Sequence, residues 1–156
     1  MINATYAAGR VLTTGSSVCV GAVGATLGGG HGPLQGKYGL SLDALTSLRV
    51  VLANGSIVTT SSTENTDLWY AMRGAGPSFG AVVTATYKTY PQENDGKILD
   101  VEWSFALDKT DEVFTLVDTV GKNISENLGL FVLIGVNATT EKVSARAPTY
   151  CITSNR

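Results

Sequence analysis

The chain has very few of the side chains that build metal sites and disulfide frameworks. Its 156 residues include two cysteines, Cys19 and Cys151, which stand near opposite ends, and one histidine, His31. Two cysteines so far apart in sequence give neither a disulfide framework nor a Cys-x-x-Cys zinc motif. A single histidine has no second ring with which to share a metal ion. The sequence therefore predicts no metal site.

Charge of one sign and long apolar runs are scarce as well. Eleven basic residues against thirteen acidic ones give a formal net charge of -2, and no lysine–arginine cluster marks a surface for a phosphate backbone. No apolar run approaches the roughly 20 residues that span a bilayer. Neither nucleic-acid binding nor a membrane span is predicted.

The sequence does not determine the cellular localisation of the protein. Residues 1–5 lack the basic and apolar segments of a signal peptide. Four Asn-x-Ser/Thr sequons, which would suit a secreted glycoprotein, stand at Asn3, Asn54, Asn123 and Asn137. The localisation is therefore unknown from this chain.

What the chain has in abundance is glycine, in a composition typical of a folded domain. Hydrophobic residues make up 44% of the sequence and charged residues 15%. Residues 28–40 read Gly-Gly-Gly-His-Gly-Pro-Leu-Gln-Gly-Lys-Tyr-Gly-Leu. Three consecutive glycines inside folded sequence indicate positive φ angles or a backbone that lies very close to another group, and a ligand is the obvious candidate. The alternative is a flexible surface loop or linker, which the apolar flanks and scarce serine disfavour.

Hydrophobic patterning predicts mixed helices and strands. The small apolar run 18–27 is interpreted as a short buried strand and turn, or as backbone packed close to a flat ligand. Asn54-Gly55 joins two β-rich runs into an antiparallel hairpin. A helix is predicted at residues 68–73, with Thr63 or Asn65 as its N-cap and residues 74–77 as its end. A strand is predicted within residues 79–90. Core positions are predicted for Trp69, Tyr70 and Phe79.

A polar, turn-like segment, 92–96, marks a predicted domain boundary. Beyond it the sequence predicts a strand over 98–105, an amphipathic helix over 108–127 and a strand over 128–136. The chain then ends without a closing element, so we expect a truncated second domain. The predicted domains are residues 1–92 and residues 97–156.

Several motifs together resemble a known flavoprotein family. They are Val20-Gly21, Gly28-Gly29-Gly30-His31-Gly32-Pro33, Lys37-Tyr38-Gly39-Leu40-Ser41-Leu42-Asp43, Glu64-Asn65-Thr66-Asp67-Leu68-Trp69-Tyr70-Ala71-Met72-Arg73-Gly74-Ala75-Gly76 and Phe79-Gly80-Ala81-Val82-Val83-Thr84. In order and spacing the chain is similar to fungal FAD-linked oxidoreductases of the vanillyl-alcohol-oxidase/PCMH superfamily, berberine bridge enzyme-like branch. The resemblance covers about residues 7–91.

The resemblance implies an α+β fold with FAD as cofactor. It identifies residues 1–92 as the second lobe of a PCMH-type FAD-binding domain and residues 97–156 as the start of an α+β substrate domain. The family's first lobe, with its pyrophosphate-binding loop and often a flavin-linked histidine, would precede residue 1. We expect these residues to contact FAD: Cys19, Val20, Gly21, Gly24, Gly28, Gly29, Gly30, His31, Gly32, Val82 and Val83.

Four of these positions have a second interpretation. Cys19 suggests a flavin thioether, although the family's cysteine typically lies two residues further upstream, and it is otherwise a small buried hydrophobe. His31 is either a hydrogen-bond partner of the cofactor or a solvated loop residue. Val82 and Val83 match positions whose backbone faces the adenine, yet they also suit the core of a strand. Asp43 is expected to brace the turn that precedes the hairpin.

The function implied by the resemblance is FAD binding with hydride transfer from a small organic substrate to FAD and onward transfer of electrons to oxygen. The alternative is an inactive fragment or non-catalytic protein that lacks a complete FAD site. No catalytic residue is identified, because the proton-accepting base in this family usually comes from the substrate domain.

Overall fold

The computed structural model describes residues 1–17, 19–97, 99–101, 103, 105–130, 132–137, 142–146 and 149–151. These residues form two compact units, Met1–Gln92 and Glu93–Arg156. Both units mix helices with antiparallel strands, as the predicted α+β fold requires. Among the helices in the described ranges, none combines the length and the hydropathy needed to cross a bilayer.

The first unit contains five α-helices and five strands in its described residues. In chain order these are α1 Ile2–Ala7, β1 Arg10–Val11, α2 Ala22–Leu27, α3 Gln35–Tyr38, α4 Ser41–Ala44, β2 Leu45–Val51, β3 Ile57–Ser61, α5 Thr66–Ala75, β4 Ala81–Tyr87 and β5 Tyr90–Pro91. One sheet has the order β3-β2-β4, and β1 pairs with β5.

The predicted hairpin is confirmed. Strands β2 and β3 pair antiparallel from Ser47 with Ser61 to Val51 with Ile57. Gly55 has φ 81°, the left-handed conformation that an Asn-Gly turn needs. The opposite neighbour, β4, lies within the predicted strand 79–90, and a β-bulge interrupts its pairing with β2. Arg49 pairs with Thr84 while Val50 pairs with Val82, so Val83 is the extra residue.

The core of the first unit lies between α5 and the sheet. It is built from Leu27, Leu45, Leu48, Val50, Trp69 and Met72. Trp69 and Met72 are three positions apart on α5 and share one face, whereas Tyr70 points away and is 85% exposed. The predicted core role is thus confirmed for Trp69 and wrong for Tyr70, and also wrong for Phe79, which is 47% exposed.

Helix α5 is longer than predicted and irregular at its end. It starts after Asn65, as one of the two predicted caps requires, but the Asn65 amide donates to the carbonyl of Thr59 instead of capping the helix. The regular helix breaks at Arg73 and Gly74, where Gly74 has φ 140°. The predicted stop at residues 74–77 is therefore correct.

The strand predicted within residues 18–27 is wrong, because Ala22–Leu27 form the helix α2; Val18 lies outside the described residues. The amide of Ala25 donates to the carbonyl of Gly21 at 3.0 Å, and the Thr26 hydroxyl donates to the carbonyl of Ala22 at 2.8 Å. One face of this turn, Thr26 and Leu27, is buried. Packing of that face selects the helix over the extended form that the apolar run favours.

The second unit contains β6 Leu99–Val101, α6 Thr110–Gly121, β7 Leu128–Leu130, β8 Leu133–Asn137, β9 Lys142–Arg146 and β10 Thr149–Cys151. Its sheets have the order β6-β10-β7 and β8-β9. The helix lies within the predicted 108–127. The single strand predicted over 128–136 is wrong, since β7 and β8 pair in different sheets, and the predicted strand start at Ile98 lies outside the described residues.

Candidate functional site

The glycine loop, residues 28–40, leaves α2 and turns through α3 into α4. Gly29 and Gly30 have φ angles of 113° and 77°, so the expected positive φ angles are confirmed at both positions. The carbonyls of Gly29 and Gly30 accept hydrogen bonds from the amides of Leu42 and Ser41 at 3.0 and 2.9 Å. Two backbone bonds thus hold the triplet on α4, and the interpretation as a free linker is wrong.

The close approach that the glycines permit is made by the chain itself at Gly30 and Gly32. A Cβ atom at Gly30 would lie 2.5 Å from the Cβ of Ser41, and one at Gly32 would overlap the carbonyl oxygen of Thr14. Ser41 is buried and its hydroxyl donates to the carbonyl of Thr13 at 2.7 Å. Internal packing therefore accounts for glycine at positions 30 and 32.

Gly21 and Gly24 have the opposite environment. Both are exposed, and a Cβ atom at either would meet no atom within 4 Å. Gly28 is also exposed, with the carbonyl oxygen of Ala25 as the nearest neighbour, 3.7 Å from its would-be Cβ. These three glycines present bare backbone to open space, which is the arrangement that a flat ligand can approach.

Two side chains beside Gly21 share this exposure. Val20 is 56% exposed, and the thiol-bearing Cys19 is exposed and free. The interpretation of Cys19 as a buried hydrophobe is therefore wrong. An exposed apolar side chain next to bare glycine backbone forms a surface suited to a planar aromatic ring rather than to a metal ion.

His31 lies at the surface of the glycine loop. Its Nδ1 atom is 2.9 Å from Oε1 of Gln35, four residues along the chain, and the pair is exposed. If the amide oxygen accepts from Nδ1–H, Nε2 is left as the acceptor nitrogen. The side chain is thus exposed at the surface of the loop, with one ring nitrogen directed by Gln35.

Val82 and Val83 differ in burial. Val82 packs against the core, whereas the bulged Val83 is 54% exposed. Their strand is tied to α2 through the Tyr87 hydroxyl, which donates to the Thr26 hydroxyl at 3.0 Å. Burial raises the pKa of the Tyr87 phenol above its usual value, and the hydrogen bond to Thr26 opposes that shift.

Asp43 braces the turn before the hairpin, as expected. Its Oδ2 atom accepts from the amide of Leu40 at 2.9 Å, and its Oδ1 atom is 3.7 Å from Nη2 of Arg73. Sequence patterns did not identify the supporting residues Thr14, Ser41 and Arg73. The only signal for two of them is that Ser41 and Arg73 stand inside the motifs that carry the family resemblance.

Comparison with known proteins gives consistent results. Residues 2–61 match the FAD binding domain family. The chain is 41% identical over 138 residues to an FAD-linked oxidoreductase of Aspergillus niger, a match that covers 88% of this chain and 29% of the relative. The chain thus spans less than a third of that relative's length.

Solved structures show the same fold. A structure of 6-hydroxy-D-nicotine oxidase from Arthrobacter nicotinovorans superposes with a TM-score of 0.83 at 26% identity, covering 98% of this chain and 34% of that one. Berberine bridge enzyme from Eschscholzia californica superposes with a TM-score of 0.74 at 24% identity, covering 96% of this chain and 31% of that one, and supports the fold alone.

Proposed function

Because the chain belongs to the FAD-linked oxidoreductases of the vanillyl-alcohol-oxidase/PCMH superfamily, in the berberine bridge enzyme-like branch, we propose that its first unit forms one wall of an FAD site. The cofactor of this family is FAD. The observation that carries the proposal is the bare, exposed backbone at Gly21 and Gly24, beside which there is open space.

The residues present fit a flavin. Exposed glycine backbone lets N–H and C=O groups reach a flat heteroaromatic ring without obstruction by a side chain. The exposed Val20 offers apolar contact to the ring, and His31 offers a polar group at the loop surface. Gly29, Gly30 and Gly32 belong to the same wall, where their conformations and close packing set the path of the loop.

We assign the two structural units to two domains of the family. Residues 1–92 would be the second lobe of the FAD-binding domain, and residues 97–156 would belong to the substrate domain. The division of the structure between Gln92 and Glu93 supports this assignment. The adenine end of FAD is assigned to the backbone of Val82 and Val83, a position supported by the exposure of Val83 at the bulge of β4.

The reaction proposed for the whole enzyme is the oxidation of a small organic substrate. Bound FAD would supply the hydride acceptor for the substrate and the carrier of the electrons, and we propose oxygen as their final acceptor. The part played by this chain's own residues is to bind and orient the ring. No side chain is assigned as a catalytic base.

Cys19 has two possible relations to the flavin, a free thiol beside the ring or a thioether to it. Its exposure leaves the sulfur accessible in either arrangement. The intact mass of the protein, with and without Cys19→Ala, distinguishes the two. A flavin adduct that is present in the wild type and lost in the variant identifies the thioether, whereas equal masses apart from the substitution identify the free thiol.

A flavin-loading experiment tests the proposal. The purified protein is incubated with FAD, freed of unbound ligand, and examined for flavin absorbance and for reduction of the bound flavin by candidate organic compounds. Retained flavin that is reduced by a substrate and reoxidised by oxygen supports the full proposal. Retained flavin without reduction supports FAD binding and leaves the oxidoreductase part of the proposal unsupported. Absence of flavin binding contradicts the proposal and supports the alternative, an inactive fragment or non-catalytic protein that lacks a complete FAD site.

A further inference from the structure

The irregular end of α5 contacts the start of the glycine loop. Gly76 is buried, and a Cβ atom at this position would lie 2.9 Å from Cδ1 of Leu27. Leu27 is the last residue of α2 and is 5% exposed, so its side chain has little room to move away. The lack of a side chain at Gly76 thus lets Leu27 sit directly against the chain that follows α5, one residue before the loop begins.

The same end of α5 contacts the far end of the loop through an ion pair. Nη2 of Arg73 lies 3.7 Å from Oδ1 of Asp43, and the other carboxylate oxygen accepts from the amide of Leu40. The next two amides, those of Ser41 and Leu42, donate to the carbonyls of Gly30 and Gly29. Arg73 is therefore linked to the glycine triplet through one carboxylate and a short stretch of backbone.

The backbone of α5 leaves the helical conformation at Arg73. Arg73 has φ -89° and ψ 64°, which is not helical, and Gly74 follows with φ 140°. The guanidinium group also lies over the ring of Trp69, with 5.6 Å between its central carbon and the ring centroid. Because Trp69 is part of the buried core, the cation is anchored on a rigid surface.

We propose that Arg73 and Gly76, named here the α5 clamp, position the glycine loop from both of its ends. Arg73 fixes the turn at Leu40–Asp43, and Gly76 fixes Leu27. The α5 clamp holds the glycine loop against the core, because the glycines of the loop have no side chains with which to pack. Its importance for FAD rests on the function proposed above, whereas its effect on the loop does not.

Amide hydrogen exchange tests the clamp without any flavin, so that its failure is distinct from failure of the proposed FAD site. The reporters are the amides of Ser41 and Leu42, and the reference is the amide of Leu52, which donates to Ser56 in the hairpin at 2.9 Å. Arg73→Ala should accelerate exchange at the reporters by up to about fivefold, the range expected from a partly exposed ion pair, and leave Leu52 unchanged.

Matched variants complete the experiment. Arg73→Lys should restore most of the protection, since it keeps the charge, and Arg49→Ala, which removes another exposed arginine of this unit, should leave the reporters unchanged. Gly76→Ala tests the other half of the clamp and should also accelerate exchange at the reporters. Unchanged reporters in both Arg73→Ala and Gly76→Ala, or equal acceleration at Leu52, would overturn the proposal.

Discussion

Adding a single methyl group at Gly30 should destabilise the fold substantially, although the residue belongs to a loop. The new Cβ would lie 2.5 Å from the Cβ of Ser41, 2.7 Å from its Oγ and 3.3 Å from the Cα of Thr26. Gly30 also has φ 77°, a conformation that costs an L-residue roughly 1–2 kcal/mol. Overpacking a buried contact costs typically about 1–3 kcal/mol more.

The two costs together predict that Gly30→Ala lowers the free energy of unfolding by about 2–5 kcal/mol. The Ser41 side chain cannot easily move away from a new Cβ atom, because it is buried and its hydroxyl donates a hydrogen bond to the carbonyl of Thr13. Since small domains have total stabilities of only about 5–15 kcal/mol, the loss should be plain in urea unfolding followed by circular dichroism.

The neighbouring Gly28 supplies the control for this experiment. It has φ -101°, and a Cβ there would meet only the Ala25 carbonyl oxygen, at the ordinary distance of 3.7 Å. Gly28→Ala should change the free energy of unfolding by no more than about 0.5 kcal/mol. If Gly30→Ala costs no more than Gly28→Ala, the account of the loop as closely packed backbone is refuted.

Three further substitutions follow from the structure. Gly24→Ala should raise the free energy of unfolding by about 0.5–1 kcal/mol in the same assay, because the position is helical with open space at its Cβ; a loss of stability would contradict the helix α2. Gly55→Ala should lower it by about 1 kcal/mol because of the positive φ in the hairpin turn, and an unchanged value would count against that turn. Burial raises the pKa of Tyr87, so the folded state favours the protonated phenol. The contribution of this phenol to the free energy of unfolding is therefore complete below about pH 10 and is lost as the pH rises through the pKa of the folded state. Tyr87→Phe should remove that alkaline decrease in urea midpoint, and a decrease identical to the wild type's would exclude Tyr87 as its source.

The parts of the fold that could be predicted from sequence are those set by neighbours along the chain. The hairpin follows from Asn54-Gly55 because the turn's φ requirement is met by those two residues alone. The stop of α5 follows from Gly74 for a similar reason. Helix α2 could not be found this way, because its apolar, glycine-containing run has no helical periodicity and its conformation depends on burial of Thr26 and Leu27.

The candidate site likewise has features that are set locally and features that depend on residues distant in sequence. Positive φ angles at Gly29 and Gly30 are a local property, and the glycine triplet predicts them. The partners that fill the space beside Gly30 and Gly32 are distant in sequence, Ser41 and Thr14, and no pattern in the loop indicates them. A sequence argument assigns all the close contacts to a ligand, whereas in the structure the chain itself fills the space beside Gly30 and Gly32 and leaves the space beside Gly21 and Gly24 open.

That difference changes which substitution tests the flavin wall. Replacing Gly30 by a larger residue would disturb Ser41 and the fold, so a loss of FAD would carry no information about contact. Gly24 has no neighbour within 4 Å of its would-be Cβ, and leucine is a good helix former. Gly24→Leu therefore places a side chain in the space assigned to the ring while keeping α2 intact.

The most direct measurement is the FAD dissociation constant of Gly24→Leu beside those of the wild type and of Tyr70→Ala, a control in which an 85% exposed aromatic residue of α5 is removed. The wall proposed here predicts that Gly24→Leu binds FAD at least about tenfold more weakly, that Tyr70→Ala binds like the wild type, and that both variants unfold within about 1 kcal/mol of it. A stable Gly24→Leu protein that binds FAD as tightly as the wild type would contradict the account.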